Sequence, residues 1–482
     1  MRRSQRSRHD VNGPPAAPFL ITRRQAALAM LAGLASSSIS GWLRAETLVP
    51  TSQVPTALEP TSIRLFTPRG AGSKDGRDWL NATPLNALSK ALASAQPGSA
   101  FYIGFDPAEI EPVALDRGQV AIKVTGESDN PLFVQAGLMS GAKGIAAPGE
   151  DGAAFFKSMR PWSLENFGKN RGSACYFAIN NGASHLRLSG FRIDGTSADG
   201  FIKFRAKEDS PATFEDIVIS GIEARNVGRV IETDRGATLR NLLVADCRAV
   251  GIVRGFARFR SLSSSVLRNL DLDAANMDAG GKNVCQVISL ESGDNVLFEN
   301  VTVRNAVNQP PPRSGNEQGY VQGDGIVCER KTSNVVIRKC QASGMGDGGF
   351  DLKTTGVTIE DSSTDSCKYG ARIWSEGSNA IRRCDFRNPQ SRGNIKGACI
   401  QACGMLEITD TKLHAGPGTL AISLHKLDKG NDPVVRMTGG SIQTEGDGAV
   451  AGSTSSGVLE LHNVMVNGVL TDHRYVFEPK KQ

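Results

Sequence analysis

The sequence predicts an all-β chain that winds into a single-stranded parallel β-helix of about 11 coils with a short N-terminal helical cap. A strand pattern recurs at intervals of 22 to 39 residues, and no helical periodicity lies between most of the copies. The composition agrees, because 53 glycines and only 6% aromatic residues suit many short strands and turns. At 482 residues, the chain is long enough for a large core.

Each copy of the repeat has two apolar strand segments that flank a pivot residue, which is usually glycine, asparagine or aspartate. A self-similar period of this size is typical of a solenoid, and units without helices favour coils that stack at the strand spacing of about 4.8 Å. A sandwich would need hairpins, but two-residue Asn-Gly turns are scarce. The pivots are Gly190, Gly221, Asp246, Asn269, Asn300, Lys339, Asp361, Arg383, Asp410, Gly439 and Asn463.

The residue after each pivot is mostly apolar, which predicts an inward column along the coils. Cys247, Cys340 and Cys384 fall in this column. Cysteine is often fully buried as a small apolar residue, and nine cysteines cannot all pair. We therefore expect buried thiols in the core rather than a disulfide framework or a zinc site.

The first 45 residues have the pattern of a leader. A basic start precedes Arg23-Arg24, an apolar run from Ala26 to about Ile39, and Leu43-Arg44-Ala45 as a weak cleavage signal. This resembles a twin-arginine export signal of bacteria, and it predicts a periplasmic or extracellular protein. The apolar run is shorter than the roughly 20 residues that span a bilayer, so no membrane association is expected after the signal is removed.

Net charge gives no reason to expect a nucleic-acid partner. The chain carries +6, but residues 1–45 alone contain seven arginines and one aspartate. The remainder has equal numbers of basic and acidic residues, so its net charge is close to zero. We expect a monomer.

The chain divides into five predicted parts. Residues 83–95 have helical spacing and predict the cap, while the inserts at 274–282, 308–323 and 388–396 fall in one turn of their coils and predict a wall beside a groove. The parts are the export signal at 1–45, a linker at 46–62, the cap and first coils at 63–184, the β-helix at 185–470 and a C-terminal tail at 471–482.

One three-coil segment concentrates the charged residues. Aligning Gly325, Gly349 and Gly370 places alternate residues on opposite faces of each strand. Ile326, Cys328, Phe350, Leu352, Ala371 and Ile373 are then predicted inward. The outward columns are Val327, Asp351 and Arg372 beside Glu329, Lys353 and Trp374, and extending them adds Ser289, Cys399 and Ser423 to the first and Glu291, Gln401 and His425 to the second.

The repeat, the cap and the sequence segments GDGGFDLK, YGARIW and GESDNPLFVQAG resemble the right-handed β-helix, or pectin-lyase-like, superfamily. The resemblance covers roughly residues 60–468. The resemblance implies an exported carbohydrate-active protein, most similar to polysaccharide lyases. Several such lyases pair a lysine with an arginine on neighbouring coils. Lys353 and Arg372 match that arrangement in residue type and approximate separation.

β-Elimination from a uronic acid needs a base, neutralisation of the carboxylate and help for the leaving oxygen. We assign Lys353 as the base, provided that a neighbouring cation or burial lowers its pKa, and Arg372 as the carboxylate neutraliser or acid. Glu329 and Asp351 are positioners or ligands of a tentative calcium ion. Trp374, Glu291, Gln401 and His425 are predicted to contact an anionic polysaccharide.

Three alternatives stay open from the sequence. A glycoside hydrolase would use Glu329, Asp351 or Asp347 as paired acid and base. A uronate epimerase begins with the same proton abstraction as a lyase. A non-catalytic glycan-binding or surface β-helix would use the groove only for binding, and the charged residues would then be ordinary solvated ion pairs on a ladder.

Overall fold

The structure is a computed structural model of the chain. It describes residues 58–104, 113–114, 120–136, 139–140, 144–145, 155–157, 175–195, 200–277, 284–308, 321–392, 395–427, 430–453 and 455–478. The predicted export signal, most of the linker and the centres of two predicted wall inserts, at 278–283 and 309–320, lie outside these residues. Within the described ranges, no helix is long and apolar enough to cross a membrane.

The strands form three ladders of parallel pairs, which are the three faces of a β-helix. The first face carries the charged residues singled out above. Its strands are Val120–Ile122, Phe177–Asn180, Ile202–Arg205, Ile231–Thr233, Ala257–Phe259, the starts of Gln286–Arg304 and Asp324–Arg338, then Gly348–Leu352, Tyr369–Ile373, Ala398–Ala402, Leu420–Leu424 and Ala449–Ser453.

The second face follows the first in each coil, and some of its strands continue round the corner into the third. Its strands are Ser62–Thr67, Ser99–Ile103, Leu132–Ala136, Leu186–Ser189, Ala212–Ser220, the starts of Ala237–Ile252 and Leu262–Asp273, the middle of Gln286–Arg304, the end of Asp324–Arg338, then Thr355–Glu360, Asn379–Arg382, Met405–Thr409, Val434–Thr438, Gly457–Val466 and Val469–Phe477.

The third face completes each coil. Its strands are Val113–Ala114, Phe155–Lys157, Arg192–Asp194, Glu223–Val227, the ends of Ala237–Ile252, Leu262–Asp273 and Gln286–Arg304, then Gln341–Ser343, Ser363–Asp365, Asp385–Arg387, Lys412–Ala415, Ser441–Thr444 and the end of Gly457–Val466. All three predicted wall inserts join this face to the first face of the next coil.

The pivots form the corner between the second and third faces. All eleven have positive φ, from 48° at Asp410 to 78° at Gly190. Glycine, asparagine and aspartate adopt this left-handed conformation at lower cost than other residues, which explains why they recur at the pivot. Along this corner, Asn300 donates a side-chain hydrogen bond to Asn269, and Asn269 donates one to Asp246, both at 2.9 Å.

The core lies between the three faces, and the predicted inward residues are in it. Ile326, Phe350 and Ala371 are fully buried and belong to one continuous apolar cluster. The inward column after the pivots is buried as predicted from Phe191 to Val464, except that Gly440 is half-buried. All nine cysteines are buried and free, so the prediction of core thiols is confirmed.

The two ends of the described chain refine the predicted boundaries. The predicted helix at 83–95 is shorter, because Thr83–Pro84 pairs with Ser62–Thr67, and a 3-10 turn Leu85–Ala87 precedes α-helix Leu88–Ala93. A second 3-10 turn is Trp79–Asn81, and Met139–Ser140 forms a hairpin with Gly144–Ile145. The predicted tail at 471–482 begins inside strand Val469–Phe477, which pairs antiparallel with Gly457–Val466. The coil number and the capping role of the helix stay predictions.

Lys339 has the same left-handed conformation as the asparagines of its corner, and its side chain is exposed. We expect Lys339→Asn to raise the free energy of unfolding by about 1 kcal/mol, because asparagine tolerates positive φ better than lysine. Urea unfolding measures the change. Lys412→Asn, in an extended strand, is the control and should not stabilise. A Lys339→Asn protein less stable than the parent would contradict this account of the corner.

Candidate functional site

The predicted register of the charged coils is confirmed. Val327 pairs with Asp351, and Asp351 pairs with Arg372, so three successive coils present these side chains in one column of the first face. Val327 and Asp351 are buried although they point away from the core. We call Glu329, Asp347, Asp351, Lys353, Lys368 and Arg372 the charged site.

Asp351 lies between the two predicted catalytic cations. Lys353 Nζ is 3.5 Å from Asp351 Oδ2, and Arg372 Nε is 3.4 Å from Asp351 Oδ1. Lys353 also donates a hydrogen bond of 2.8 Å to Glu329 on the preceding coil. Lys353 and Arg372 therefore lie on the same face and meet at a single carboxylate.

A second carboxylate, Asp347, holds the opposite end of the charged site. Arg372 Nη1 donates to Asp347 Oδ2 at 2.5 Å, and Lys368 Nζ lies 3.4 Å from Asp347 Oδ1. The side chains of Lys368 and Asp347 are 2% and 6% exposed. Since charges at this depth persist only when they are paired, the contacts explain why a lysine is buried here.

Burial and charge act in opposite directions on the proton equilibria. Burial raises the pKa of Asp351 above its ordinary value, although the adjacent Arg372 and Lys353 both lower it. Burial alone would lower the pKa of Lys353, but the charge of Asp351 and the hydrogen bond to Glu329 outweigh it, and the pKa is raised. The expectation of a lysine with a lowered pKa is wrong, because its neighbours are carboxylates rather than a second cation.

Asp324 is a buried carboxyl group close enough to the charged site for Asp351 and Asp347 to affect its pKa. Its carboxylate accepts a hydrogen bond of 2.9 Å from the Gly348 amide. Burial, and then the nearby charges of Asp351 and Asp347, raise the pKa of Asp324 to about 8. A proton is therefore retained on this carboxyl group at neutral pH.

An aromatic pair adjoins the charged site. The rings of Trp374 and His425 lie 5.7 Å apart in an edge-to-face arrangement, and the Arg372 guanidinium lies 4.8 Å from the Trp374 ring centre. Trp374 Nε1 is buried without a hydrogen-bond partner among the described residues. Both predicted saccharide contacts are therefore adjacent to the charged site.

The position predicted for Gln401 is wrong by two residues. Arg372 pairs with Gln401, and Gln401 pairs with Ser423, so Gln401 lies in the column of Arg372 and not in that of Trp374. The glycine before strand Ala398–Ala402 is Gly397, whereas the pairing sets Cys399 opposite Gly370, so alignment of the two glycines shifts this strand by two residues. Cys399 consequently leaves the outward column, and the small Cys403, which follows Ala402, allows Trp374 and His425 to meet from coils two apart.

Glu291 lies on the predicted face but outside the charged site. The pairing between Gln286–Arg304 and Asp324–Arg338 shifts between Leu290 and Ser292, at Glu291 itself. Its carboxylate forms an ion pair with Arg260 of the preceding coil. Glu291 therefore belongs to a neighbouring group of charges.

The tentative calcium ligands hold a different cation. Glu329 and Asp351 both contact the Lys353 ammonium group, which takes the position between them that a metal ion would need. Across the described ranges, no three or more His, Cys, Asp or Glu side chains form a group that could hold a metal ion. The residues as arranged do not fit calcium, and its role stays a prediction.

Lys368 and Asp324 were not among the predicted site residues, and Asp347 was predicted only as an acid or base of the alternative glycoside hydrolase. Tyr369 pairs with Gly348, so Lys368 and Asp347, which precede them, occupy matching positions on neighbouring coils at the turn that enters the first face. Opposite charges at matching turn positions were a signal in the sequence. The alignment began after the glycines and did not use it.

Asp324→Asn is expected to change how stability depends on pH. The pKa of Asp324 is higher in the folded chain, at about 8, than in the unfolded chain, near 3.9, so its contribution to stability is lost as pH rises through this window. Asparagine retains an oxygen for the Gly348 amide and cannot ionise. Urea unfolding from pH 4 to 8 should show a smaller fall in stability for the variant, and an identical slope would refute the assignment.

Comparison with known proteins identifies the family. The model of a family described as a right handed beta helix region matches residues 176–427, more than half of the chain. No curated protein matches. Three similar solved structures are pectate lyase Pel9A (13% identity, TM-score 0.46, 70% of this chain and 79% of that one), PfbA, a surface adhesin of Streptococcus pneumoniae (9%, 0.44, 78% and 88%), and a lacto-N-biosidase from Eubacterium ramulus (12%, 0.41, 83% and 68%).

At TM-scores below 0.5, these structural likenesses carry no inference about activity. The family match agrees with the three parallel ladders and the left-handed corner, and it gives the sense of winding that was predicted. The chain therefore belongs to the right-handed β-helix family.

Proposed function

We propose that the protein is an exported enzyme that cleaves a saccharide chain by proton transfer, with Asp351 as the proton donor. The observation that supports this most directly is the environment of Asp351. Its side chain is 4% exposed, its pKa is raised by burial, and its Oδ1 makes no hydrogen bond within the described chain. A buried carboxyl group with a raised pKa keeps its proton to higher pH than an exposed one, and it can protonate a glycosidic oxygen.

Glu329 supplies the second carboxyl group that hydrolysis needs. It lies on the neighbouring coil, and its side chain is 35% exposed. Both carboxylates contact Lys353 Nζ, at 2.8 and 3.5 Å, so the nearest oxygens of Glu329 and Asp351 are separated by no more than the sum of these distances. One buried and one accessible carboxyl group form the acid and base pair of a glycoside hydrolase.

The other residues of the charged site orient this pair. Arg372 is fixed by Asp347 and contacts Asp351, while Lys353 joins Asp351 to Glu329. Trp374 is half-buried beside the charged site, and its apolar ring is suited to packing against a sugar. The substrate therefore contacts the aromatic pair while its scissile bond lies over the carboxyl groups.

β-Elimination is the second candidate, and one observation favours it. Lys353 and Arg372 both contact the same carboxylate, so two cations converge where the carboxylate of a uronate could bind. In this mechanism, Lys353 takes the proton from the carbon next to that carboxylate, a carbon–carbon double bond forms as the bond to the glycosidic oxygen breaks, and the leaving oxygen takes a proton from water. Because the resting contacts raise the pKa of Lys353, the substrate must displace Glu329 or Asp351 before the lysine can act as a base.

Asp351→Asn should reduce cleavage of a responsive polysaccharide by at least about 100-fold, because the amide cannot donate the proton. The assay uses a panel of polyuronates and neutral polysaccharides and follows new reducing ends and the absorbance of unsaturated products. Asp361→Asn is the matched control, since it removes a carboxylate paired with Arg383 on another part of the coil. Full activity of Asp351→Asn, or saccharide binding without cleavage by the parent, would overturn the proposal.

Lys353→Gln separates hydrolysis from elimination. The Lys353 charge lowers the pKa of Asp351, so its removal should raise that pKa and move the alkaline limit of hydrolysis to higher pH. Elimination would instead be abolished at every pH, and its product would absorb in the ultraviolet. The pH profile of kcat/KM decides between them. A parallel assay with a calcium chelator tests the calcium prediction, which loss of activity would support.

A further inference from the structure

We propose a second ligand-binding region on the first face, an arginine subsite formed by Arg229, Arg258 and Arg260 that binds the carboxylate of an acidic sugar unit. It rests on the proposed function, since it takes the same saccharide chain that reaches the charged site. It adds the substrate class, because a neutral polysaccharide offers no group for these arginines. The substrate is therefore an acidic polysaccharide.

The arginine subsite and the charged site share one stripe of the surface. Arg258 pairs with Ser289, Ser289 pairs with Val327, and Val327 pairs with Asp351. Three steps of about 4.8 Å place Arg258 about 14 Å from Asp351 along the helix axis. A saccharide chain of several units can lie along this stripe and contact both groups, whereas a single sugar cannot.

Among the described residues, acidic and basic side chains are equal in number in the charged site but not around the arginine subsite. In the charged site, the three basic side chains of Lys353, Lys368 and Arg372 contact the three acidic side chains of Glu329, Asp347 and Asp351. Around the arginine subsite, four cations share three carboxylates within the described part of the chain. These groups are Lys203, Arg229, Arg258 and Arg260 with Glu232, Asp234 and Glu291.

Two of the arginines compete for one buried carboxylate. Glu232 forms ion pairs with both Arg229 and Arg258, and the bonds from Arg258 measure 2.8 and 2.6 Å. Burial and the charges of Arg229 and Arg260 lower the pKa of Arg258. This crowding of positive charge is the condition that a bound anion relieves.

The guanidinium groups also have unused hydrogen-bonding capacity. Nε of Arg229 and Nε of Arg260 are buried and make no hydrogen bond within the described chain. The side chains of Arg258 and Arg260 remain 24% and 19% exposed, so a ligand can reach them. Planar guanidinium groups bind carboxylates through two parallel hydrogen bonds, and this geometry favours a uronate over a neutral sugar.

The test compares the binding of oligosaccharides by calorimetry. The probes are uronic-acid dimers and hexamers, with neutral hexamers as the uncharged comparison. The parent should bind the acidic hexamer at least tenfold more tightly than the dimer or the neutral hexamer, because only the acidic hexamer reaches the arginines with a charged group. Arg258→Gln and Arg260→Gln should each weaken binding of the acidic hexamer about tenfold, and Arg260→Lys should weaken it less.

Arg338→Gln is the matched control. Arg338 is 28% exposed and pairs with Glu360, but it lies on the second face, so its loss should leave all affinities unchanged. Equal hexamer binding by parent, Arg258→Gln and Arg260→Gln, or equal binding of acidic and neutral hexamers, would overturn the arginine subsite. Circular dichroism confirms that each variant is folded. Failure of the proposed function would be recognised by a different result, namely full cleavage activity of Asp351→Asn.

Discussion

The structure depends on the left-handed corner between the second and third faces. Every coil must turn at the same point for the next one to stack in register, and a positive φ at one residue achieves this turn. Because the requirement is conformational, the interval between successive pivots can vary from 22 to 39 residues without loss of register at the corner. The corner therefore fixes the faces, and long loops are tolerated at the turn beside the charged residues.

Register explains how charges come together that are far apart in sequence. A strand delivers alternate residues outward, so Asp351 and Lys353 leave the same strand on the same side, and Arg372 joins them from the next coil. The carboxylates are buried deeply enough for desolvation to raise the pKa of Asp351 against two neighbouring cations. The chemistry that we propose follows from that competition.

Much of this could be predicted from the sequence, because alternation and positive φ leave local signals. The inward residues, the pivots, the buried cysteines and the meeting of Lys353 with Arg372 depend on such signals. The position of Gln401 was predicted wrongly, since Gly397 stands two residues before the position that lies opposite Gly370, and the register is set by the pairing with the neighbouring coil. The pKa of Lys353 was also predicted in the wrong direction. The alignment placed its neighbours correctly, but the direction of the shift depends on whether burial or the nearby carboxylates Asp351 and Glu329 have the larger effect.

The antiparallel strand Val469–Phe477 has a consequence for solubility. A parallel solenoid has no inherent length limit, since the last coil presents a template on which another chain could continue the winding and build a fibre. On the second face, reversal of direction replaces the parallel template with the outer strand of a hairpin, which carries Asp472, His473 and Arg474 in succession. Polar and charged side chains on an edge strand oppose edge-to-edge pairing, so this hairpin opposes continued stacking on the second face.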